Sequence, residues 1–205
     1  KLVTPAQAAA LVPDGATLAV DGFVGSVCPE ELLLALEQRF LGEGGPRDLT
    51  VVATTGSGDT RGRGLDRLHH DGLVRRLITS YLNLNRKLQR GLIANEIEGY
   101  LFPFGVMAQL YRDIAAGRPG LVTHVGLGTF VDPRQEGGRV NARTTENLVQ
   151  VVELAGREWL FYPSMKLDVG FLRGTTADPD GNISMEREIG RFQGASFAQA
   201  VHNSG

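Results

Sequence analysis

The stretch at residues 16–29, ATLAVDGFVGSVCP, decides the fold of this chain. It begins with an apolar and β-branched run, Thr17–Val20, which is typical of a strand buried on both faces of a parallel sheet. The run continues into a glycine-containing loop, and Pro29 suits the first position of a helix over residues 29–40. In open α/β folds this order places backbone amides at the carboxyl edge of the sheet. The spacing alone predicts an anion- or oxyanion-binding loop, and a tight turn without a ligand fits it equally well.

The rest of the chain alternates strands with helices. Further strands are predicted at 49–54, 77–81, 97–102, 121–125 and 167–172, and further helices at 4–12, 65–70, 86–94, 104–116 and 191–202. Residues 148–154 and 158–162, joined by Ala-Gly-Arg, favour an antiparallel hairpin. The predicted fold is therefore α/β, an open, mostly parallel, doubly wound sheet with helices on both faces and an antiparallel hairpin insertion. We expect residues 1–205 to form one domain.

Composition excludes several classes of protein. A net charge of −2 gives no electrostatic reason to expect nucleic acid or an anionic membrane as a partner, and no apolar run is long enough to cross a bilayer. The single cysteine, Cys28, fits a reducing setting, so we expect a cytoplasmic protein. The four histidines lack the spacing of metal ligands, and no metal site is expected.

Three glycine-rich loops each follow a predicted strand, at residues 22–25, 56–58 and 126–129. If all three strands are parallel, the loops converge on one edge of the sheet. None of them has the spacing of a dinucleotide-binding or Walker motif. We interpret Cys28 as a small buried residue, and Glu30 and Glu31 as surface partners of a helix dipole. Asp178 and Asp180 are interpreted as turn residues.

Read together, the motifs resemble the N-terminal, alpha-type half of family I CoA-transferases, and the resemblance covers nearly the whole chain. It is carried, in chain order, by Asp14-Gly15, Leu18–Phe23, Pro29-Glu30, Gly56-Ser57-Gly58, Ser80-Tyr81, Asn85, Phe102-Pro103, Gly105, Arg112–Gly117, His124–Pro133, Asn141-Ala142-Arg143, Arg173–Asp178 and Gly181–Ser184. The short-chain acyl enzymes of the acetate, propionate and acetoacetate type, which serve fatty-acid and ketone-body metabolism, are the most similar.

The resemblance implies transfer of CoA from an acyl-CoA to a carboxylic acid through a glutamyl-CoA intermediate. The nucleophilic glutamate of the family lies in the second half, so no catalytic residue is expected in this chain. We expect the chain to be a fragment that lacks the C-terminal half. Its expected partners are that half or a beta-type subunit, together with further copies in a homo-oligomer. No cofactor is implied, because coenzyme A is a substrate.

The implied role of this half is to close over the acyl group and stabilise the oxyanion. The residues carried over for substrate and oxyanion binding are Gly22, Phe23, Val24, Gly25, Gly56, Ser57, Gly58, Asn83, Phe104, Gly105, Gly126, Gly128 and Thr129. Three positions depart from the family pattern: Phe104 replaces a glutamine, and Asn83 and Val27 replace glycines. All three are expected to face the acyl pocket.

Other functions stay open at this point. An acyl-CoA hydrolase would use the same site without an acceptor acid. A non-catalytic acyl-CoA-binding or regulatory module is favoured by Phe104, because a phenyl ring cannot donate the hydrogen bond of a glutamine amide. A sugar-phosphate isomerase of similar architecture would need a phosphate loop, of which Gly56-Ser57-Gly58 supplies only a part.

Overall fold

A central sheet of five parallel strands forms the frame of the protein. The computed structural model describes residues 2–204. The strands are β1 (Thr17–Val20), β2 (Leu49–Val52), β3 (Val74–Thr79), β4 (Glu98–Leu101), β5 (Gly120–Thr123), β6 (Gln150–Leu154), β7 (Arg157–Pro163), β8 (Val169–Phe171), β9 (Thr176–Ala177) and β10 (Ile183–Ser184). The central sheet has the order β4-β3-β2-β1-β8. This confirms the predicted α/β class.

Helices cover both faces of the central sheet. They are α1 (Pro5–Ala10), α2 (Glu30–Glu43), α3 (Arg86–Ile93), α4 (Phe104–Ala115) and α5 (Gly194–Ser204), with a 3-10 turn at Leu65–Leu68. The first three helices contribute to one apolar core, and α4 and α5 contribute to a second core on the other face. Within residues 2–204 no helix combines the length and the apolarity that crossing a membrane requires.

The third strand begins three residues earlier than predicted. Its start carries two arginines, which hide the apolar pattern in the sequence. Arg76 is matched by acidic partners, since its Nε donates to Glu98 on β4 at 2.6 Å and its Nη2 donates to Glu146 at 2.6 Å. Pairing of charges across neighbouring strands allows polar residues in a half-buried strand.

The antiparallel hairpin is part of a separate three-stranded sheet, β5-β7-β6. The hairpin itself, β6 and β7, is confirmed. The topology differs from expectation at β5, the strand before the hairpin. This strand pairs with β7 in antiparallel register, with Leu121 opposite Tyr162, and is not part of the parallel sheet. Three residues of β5 are partly buried and one is exposed. This pattern is typical of a strand that packs on a core with one of its faces.

The free edge of β4 is closed by the chain. The Leu101 N–H donates to Gly138 O at 2.8 Å, and the Val140 N–H donates to Gly99 O at 3.1 Å.

At the far end of the chain, β9 and β10 form a two-residue ribbon around the predicted turn at residues 178–182. Asp178 accepts hydrogen bonds from two backbone amides of that turn, which confirms its role there.

Two leucines on α2 test which side of this helix belongs to the core. Leu36 is fully buried, whereas Leu41 on the same helix is 64% exposed. We expect Leu36→Ala to lower the free energy of unfolding by about 2–5 kcal/mol, because it leaves a cavity. Leu41→Ala is the matched control and is expected to change it by less than about 0.5 kcal/mol. Urea unfolding of both variants measures the difference, and equal effects would contradict this packing.

Candidate substrate site

The carboxyl edge of the central sheet gathers the segments that leave its strands. Loop 1 (residues 21–28) follows β1, and loop 2 (residues 53–64) follows β2. The β4 strand leads through Pro103 into α4. Because the strands are parallel, all of these segments lie at one edge, which is where open α/β folds bind ligands.

The tip of loop 1 is a two-residue turn closed by two hydrogen bonds. The Phe23 N–H donates to Ser26 O at 3.0 Å, and the Ser26 N–H donates to Phe23 O at 2.8 Å. Val24 has a φ of 59°, a left-handed conformation that β-branched residues rarely adopt. Strain of this kind is concentrated at functional sites. The turn is therefore fixed in shape and exposed at the edge of the sheet.

Loops 1 and 2 are joined directly. The Thr55 hydroxyl donates to Gly22 O at 2.9 Å, and the Gly58 N–H donates to Val24 O at 2.9 Å. A Cβ on Gly22 would lie 2.5 Å from the Ser57 Oγ, and the φ of Gly22 is 142°. Glycine is therefore required at this position by both the close approach and the backbone conformation.

The amides of the two loops are used differently. In loop 2, the N–H groups of Gly56, Ser57 and Gly58 all donate to carbonyl oxygens of the protein. In loop 1, no hydrogen bond of the described residues uses the N–H groups of Val24 and Gly25. Both residues are exposed. The geometry thus offers the amides of loop 1, rather than those of loop 2, to the oxygen of a ligand.

Loop 2 is supported by α2 through Glu30. This carboxylate accepts from the Gly64 N–H at 2.8 Å and from the Arg67 Nε at 2.6 Å. Arg67 also donates to Glu37 at 2.7 Å. The local sequence indicates only a helix-dipole role for Glu30, because its partners lie 34 and 37 residues away and no local pattern connects them.

A buried asparagine supports the same loop from the other side. The Asn85 Nδ2 donates to Ser57 O at 2.9 Å, and the Leu65 N–H donates to the same oxygen at 2.9 Å. A Cβ on Gly56 would overlap the Asn85 Oδ1, so the two residues fit only because Gly56 has no side chain. Asn85 belongs to the motifs of the family resemblance, but nothing in its surroundings along the chain indicates that it holds loop 2.

Loop 3 (residues 124–129) does not follow a parallel strand. It leaves β5 of the antiparallel sheet, and no hydrogen bond or ring contact described for residues 2–204 joins it to loop 1 or loop 2. The Gly128 N–H donates to Asp132 at 2.9 Å, and the Thr129 hydroxyl donates to Gly126 O at 2.8 Å. The expectation that all three loops converge from parallel strands is therefore wrong for this loop.

The three departures from the family pattern lie in different surroundings. Phe104 opens α4, is 44% exposed and places its ring 6.5 Å from that of Phe23. Val27 is buried, with a φ of 47°, so it does not face a pocket, and this conformation explains why glycine suits its position. Asn83 is exposed and lines a cleft with Gln89 and Ile93. Of the three, Phe104 is the one with a described ring contact to loop 1.

The first residue of loop 1, Asp21, is a buried acid. Burial raises its pKa to about 6, against the opposing effect of hydrogen bonds from the Gly22 N–H and the Gln193 amide. Its Oδ2 has no hydrogen-bond partner among the described residues. The buried Tyr111 hydroxyl lies near enough for the charge of Asp21 to contribute to its raised pKa. Asp21 thus ties loop 1 to the segment before α5.

Cys28 is a buried thiol and not an exposed nucleophile. Burial raises the pKa of Cys28 to about 12, so the thiol is protonated, in agreement with a small buried residue. No group of three or more potential metal ligands occurs within residues 2–204. Cys28 and Pro29 line an open cleft of about 430 Å³ at the start of α2, with Arg173 opposite.

The raised pKa of Asp21 makes the free energy of unfolding depend on pH. Because the folded pKa exceeds the unfolded one, folding favours the protonated acid, and this stabilisation is lost as the pH rises through about 6. We expect the contribution of Asp21 to the free energy of unfolding to be about 1.4 kcal/mol larger near pH 5 than near pH 7.5. Asp21→Asn removes this difference, whereas the exposed control Asp71→Asn retains it. Denaturation at both pH values tests this, and an unchanged difference in Asp21→Asn would contradict it.

Comparisons with known proteins place the chain in a family. A family model described as coenzyme A transferase matches residues 2–203. The chain is 45% identical to a caffeate CoA-transferase of Acetobacterium woodii, over all of this chain and 39% of that protein. It is 32% identical to the alpha subunit of an acetate CoA-transferase of Escherichia coli (strain K12), over 94% of this chain and 78% of that subunit.

A solved structure has the same fold. The apoenzyme of the acyl-CoA transferase YdiF from Escherichia coli O157:H7 matches with a TM-score of 0.95 and 35% sequence identity. The match covers 98% of this chain and 39% of that chain. The present chain thus spans about two fifths of YdiF and of the caffeate enzyme, and most of the acetate enzyme's alpha subunit. On the family model and on these relatives, the chain belongs to the coenzyme A transferase family.

Proposed function

We propose that this chain is the alpha-type half of an enzyme that transfers CoA from an acyl-CoA to a free carboxylic acid. The observation that carries the proposal is the exposed turn of loop 1, where the amides of Val24 and Gly25 are free at the carboxyl edge of the sheet. Amides held in this way stabilise the oxyanion that forms when a nucleophile attacks a thioester. Membership of the family supplies the reaction class.

The proposed reaction begins when a glutamate attacks the thioester carbonyl and CoA thiolate leaves, giving an acyl-glutamyl anhydride. The thiolate then attacks the glutamyl carbonyl and releases the first acid, and the acceptor carboxylate reverses both steps. Neither Glu30 nor Asp21 is suited to the attack, because Glu30 is held by Gly64 and Arg67 and Asp21 is buried. The nucleophile is therefore expected in a second half.

A partner completes the site in this proposal. Some relatives are named as one subunit of a transferase, and in others the matched region is less than half of one chain. We propose that this chain works with a C-terminal half or a beta-type subunit, in an oligomer, and that coenzyme A enters as a substrate with no further cofactor. The cytoplasm is the expected location.

The acid is a separate part of the proposal. One relative is named for acetate and another for caffeate, which are acids of very different size. A short-chain acid follows from the resemblance of the sequence to acetate-type enzymes. The hydrolase and the non-catalytic module are not favoured, because these relatives are named as transferases.

The first test is to trap the intermediate. We expect the complete enzyme, incubated with an acyl-CoA and then reduced with borohydride, to carry a modified glutamate outside residues 1–205. CoA should exchange between acids with ping-pong kinetics, and no free CoA should accumulate when the acceptor acid is omitted. Loss of the adduct and of exchange would contradict the proposal, and free CoA without an acceptor would indicate a hydrolase.

The second test asks which group holds the oxyanion. If the amides of loop 1 do so, Phe104→Gln is expected to raise kcat for transfer to acetate by less than about threefold, because the donor is already present. A gain of about 100-fold or more, the usual effect of one oxyanion donor, would show that the wild-type enzyme lacks one. Phe40→Gln, far from loop 1, serves as the control for a change of phenylalanine to glutamine.

A further inference from the structure

Three phenylalanines from three separate elements meet beside the free amides. Phe23 in loop 1 stacks on Phe192, with ring centroids 5.3 Å apart and planes 27° apart. Phe104 at the start of α4 meets Phe23 edge to face, with centroids 6.5 Å apart and planes 73° apart. We call these three residues the aromatic cluster. Each of the three residues is between 36% and 46% exposed.

The exposure of the aromatic cluster is not a consequence of loose packing. Phe23 belongs to the turn that is closed by two hydrogen bonds with Ser26. Phe192 has a φ of 40°, which is unfavourable for a residue with a side chain, and its ring packs over Gly190. Two of the rings are therefore held by backbone that is fixed or strained, and strain of this kind is found at ligand sites more than elsewhere.

The aromatic cluster is continuous with the proposed oxyanion site. Val24 and Gly25, whose amides are free, directly follow Phe23 in the chain. Successive Cα atoms are only about 3.8 Å apart, so the two amides and the backbone of Phe23 belong to one short stretch of chain. One acyl group can therefore contact both, with its carbonyl at the turn and its tail on the cluster.

There is also room for a tail beyond the rings. A cleft of about 630 Å³ lies beside Phe104 and Phe192. Its other lining residues are the small Ala108, Ala195 and Ser196 and the longer Arg112, Gln193 and Gln199. The three small side chains leave space beside the rings. Phe104 and Phe192 border this space, and aromatic rings attract another ring by stacked and edge-to-face contacts beyond simple apolar burial.

We infer that the aromatic cluster selects an acyl group that carries an aromatic ring. The inference rests on the proposed transferase function and names the acid that this site prefers. It replaces the short-chain acid expected from the sequence. A phenylalanine where the family pattern has glutamine then serves to recognise the acid.

The test compares two acids that differ only in ring character, together with a smaller acid that has no ring. The complete enzyme is assayed for transfer of CoA to 3-phenylpropionate, 3-cyclohexylpropionate and butyrate. We expect kcat/KM to be highest for 3-phenylpropionate, by about fivefold or more over either of the others, although the cyclohexyl acid is more apolar. A kcat/KM for 3-phenylpropionate equal to or below that for the cyclohexyl acid would overturn the inference.

Variants locate the preference in the aromatic cluster. Phe104→Leu and Phe192→Leu keep apolar side chains but remove the rings, and each is expected to lower the phenyl-to-cyclohexyl ratio of kcat/KM by about two- to tenfold. Phe40→Leu removes a ring that packs on His70 instead, and is expected to leave the ratio unchanged. Thermal unfolding confirms that each variant is folded.

The outcomes separate this inference from the proposed function. If no acid accepts CoA, the transferase proposal fails. If butyrate accepts CoA but the ratio is the same in the wild-type enzyme, Phe104→Leu and Phe192→Leu, the transferase proposal stands and the inference is overturned. If these variants change the assembly state measured by light scattering but not the ratio, the cluster contacts another part of the enzyme, and the inference is again overturned.

Discussion

The contact between loop 1 and loop 2 is the constraint on which the candidate site depends. These loops leave β1 and β2, which are paired in parallel with Leu18 opposite Val51, so their first residues are held about one strand spacing apart. At that spacing a side chain on Gly22 would overlap Ser57. The absence of a side chain at Gly22 admits the Ser57 hydroxyl, and the Thr55 hydroxyl and the Gly58 amide then connect the loops.

This contact determines which amides remain for a ligand. Loop 2 satisfies its own amides through the protein and is held on both sides, by Glu30 from α2 and by Asn85 before α3. It thus forms a rigid support for the turn of loop 1, whose amides stay free. Donors that are fixed before the reaction stabilise developing charge without reorganisation, which is what an oxyanion requires. In the proposed function, two glycine loops of similar composition therefore have different roles.

The sequence predicted the parts of the molecule that depend on local patterns. Buried strands, helix starts and the glycine loops after β1 and β2 follow from apolar periodicity and from Gly and Pro. It was wrong about loop 3, because a short strand such as β5 carries no local signal of the sheet that it joins. The expectation that Val27 faces a pocket was also wrong, because the burial of this residue depends on the direction of a turn. The Glu30–Arg67 ion pair was missed, because its two residues meet only when the chain folds. The aromatic cluster joins residues 23, 104 and 192, and no pattern in the sequence connects them.

The closure of β4 by residues 138–140 has a consequence for the behaviour of the protein in concentrated solution. An uncovered outer strand offers a row of backbone groups to any other extended chain, and it is a common starting point for aggregation. Here Gly138 and Val140 occupy hydrogen-bonding positions along β4, and Tyr100 is bridged to Arg139 between them. Intermolecular strand addition is therefore obstructed on this side of the sheet by the protein's own backbone, with no need for a proline in the outer strand.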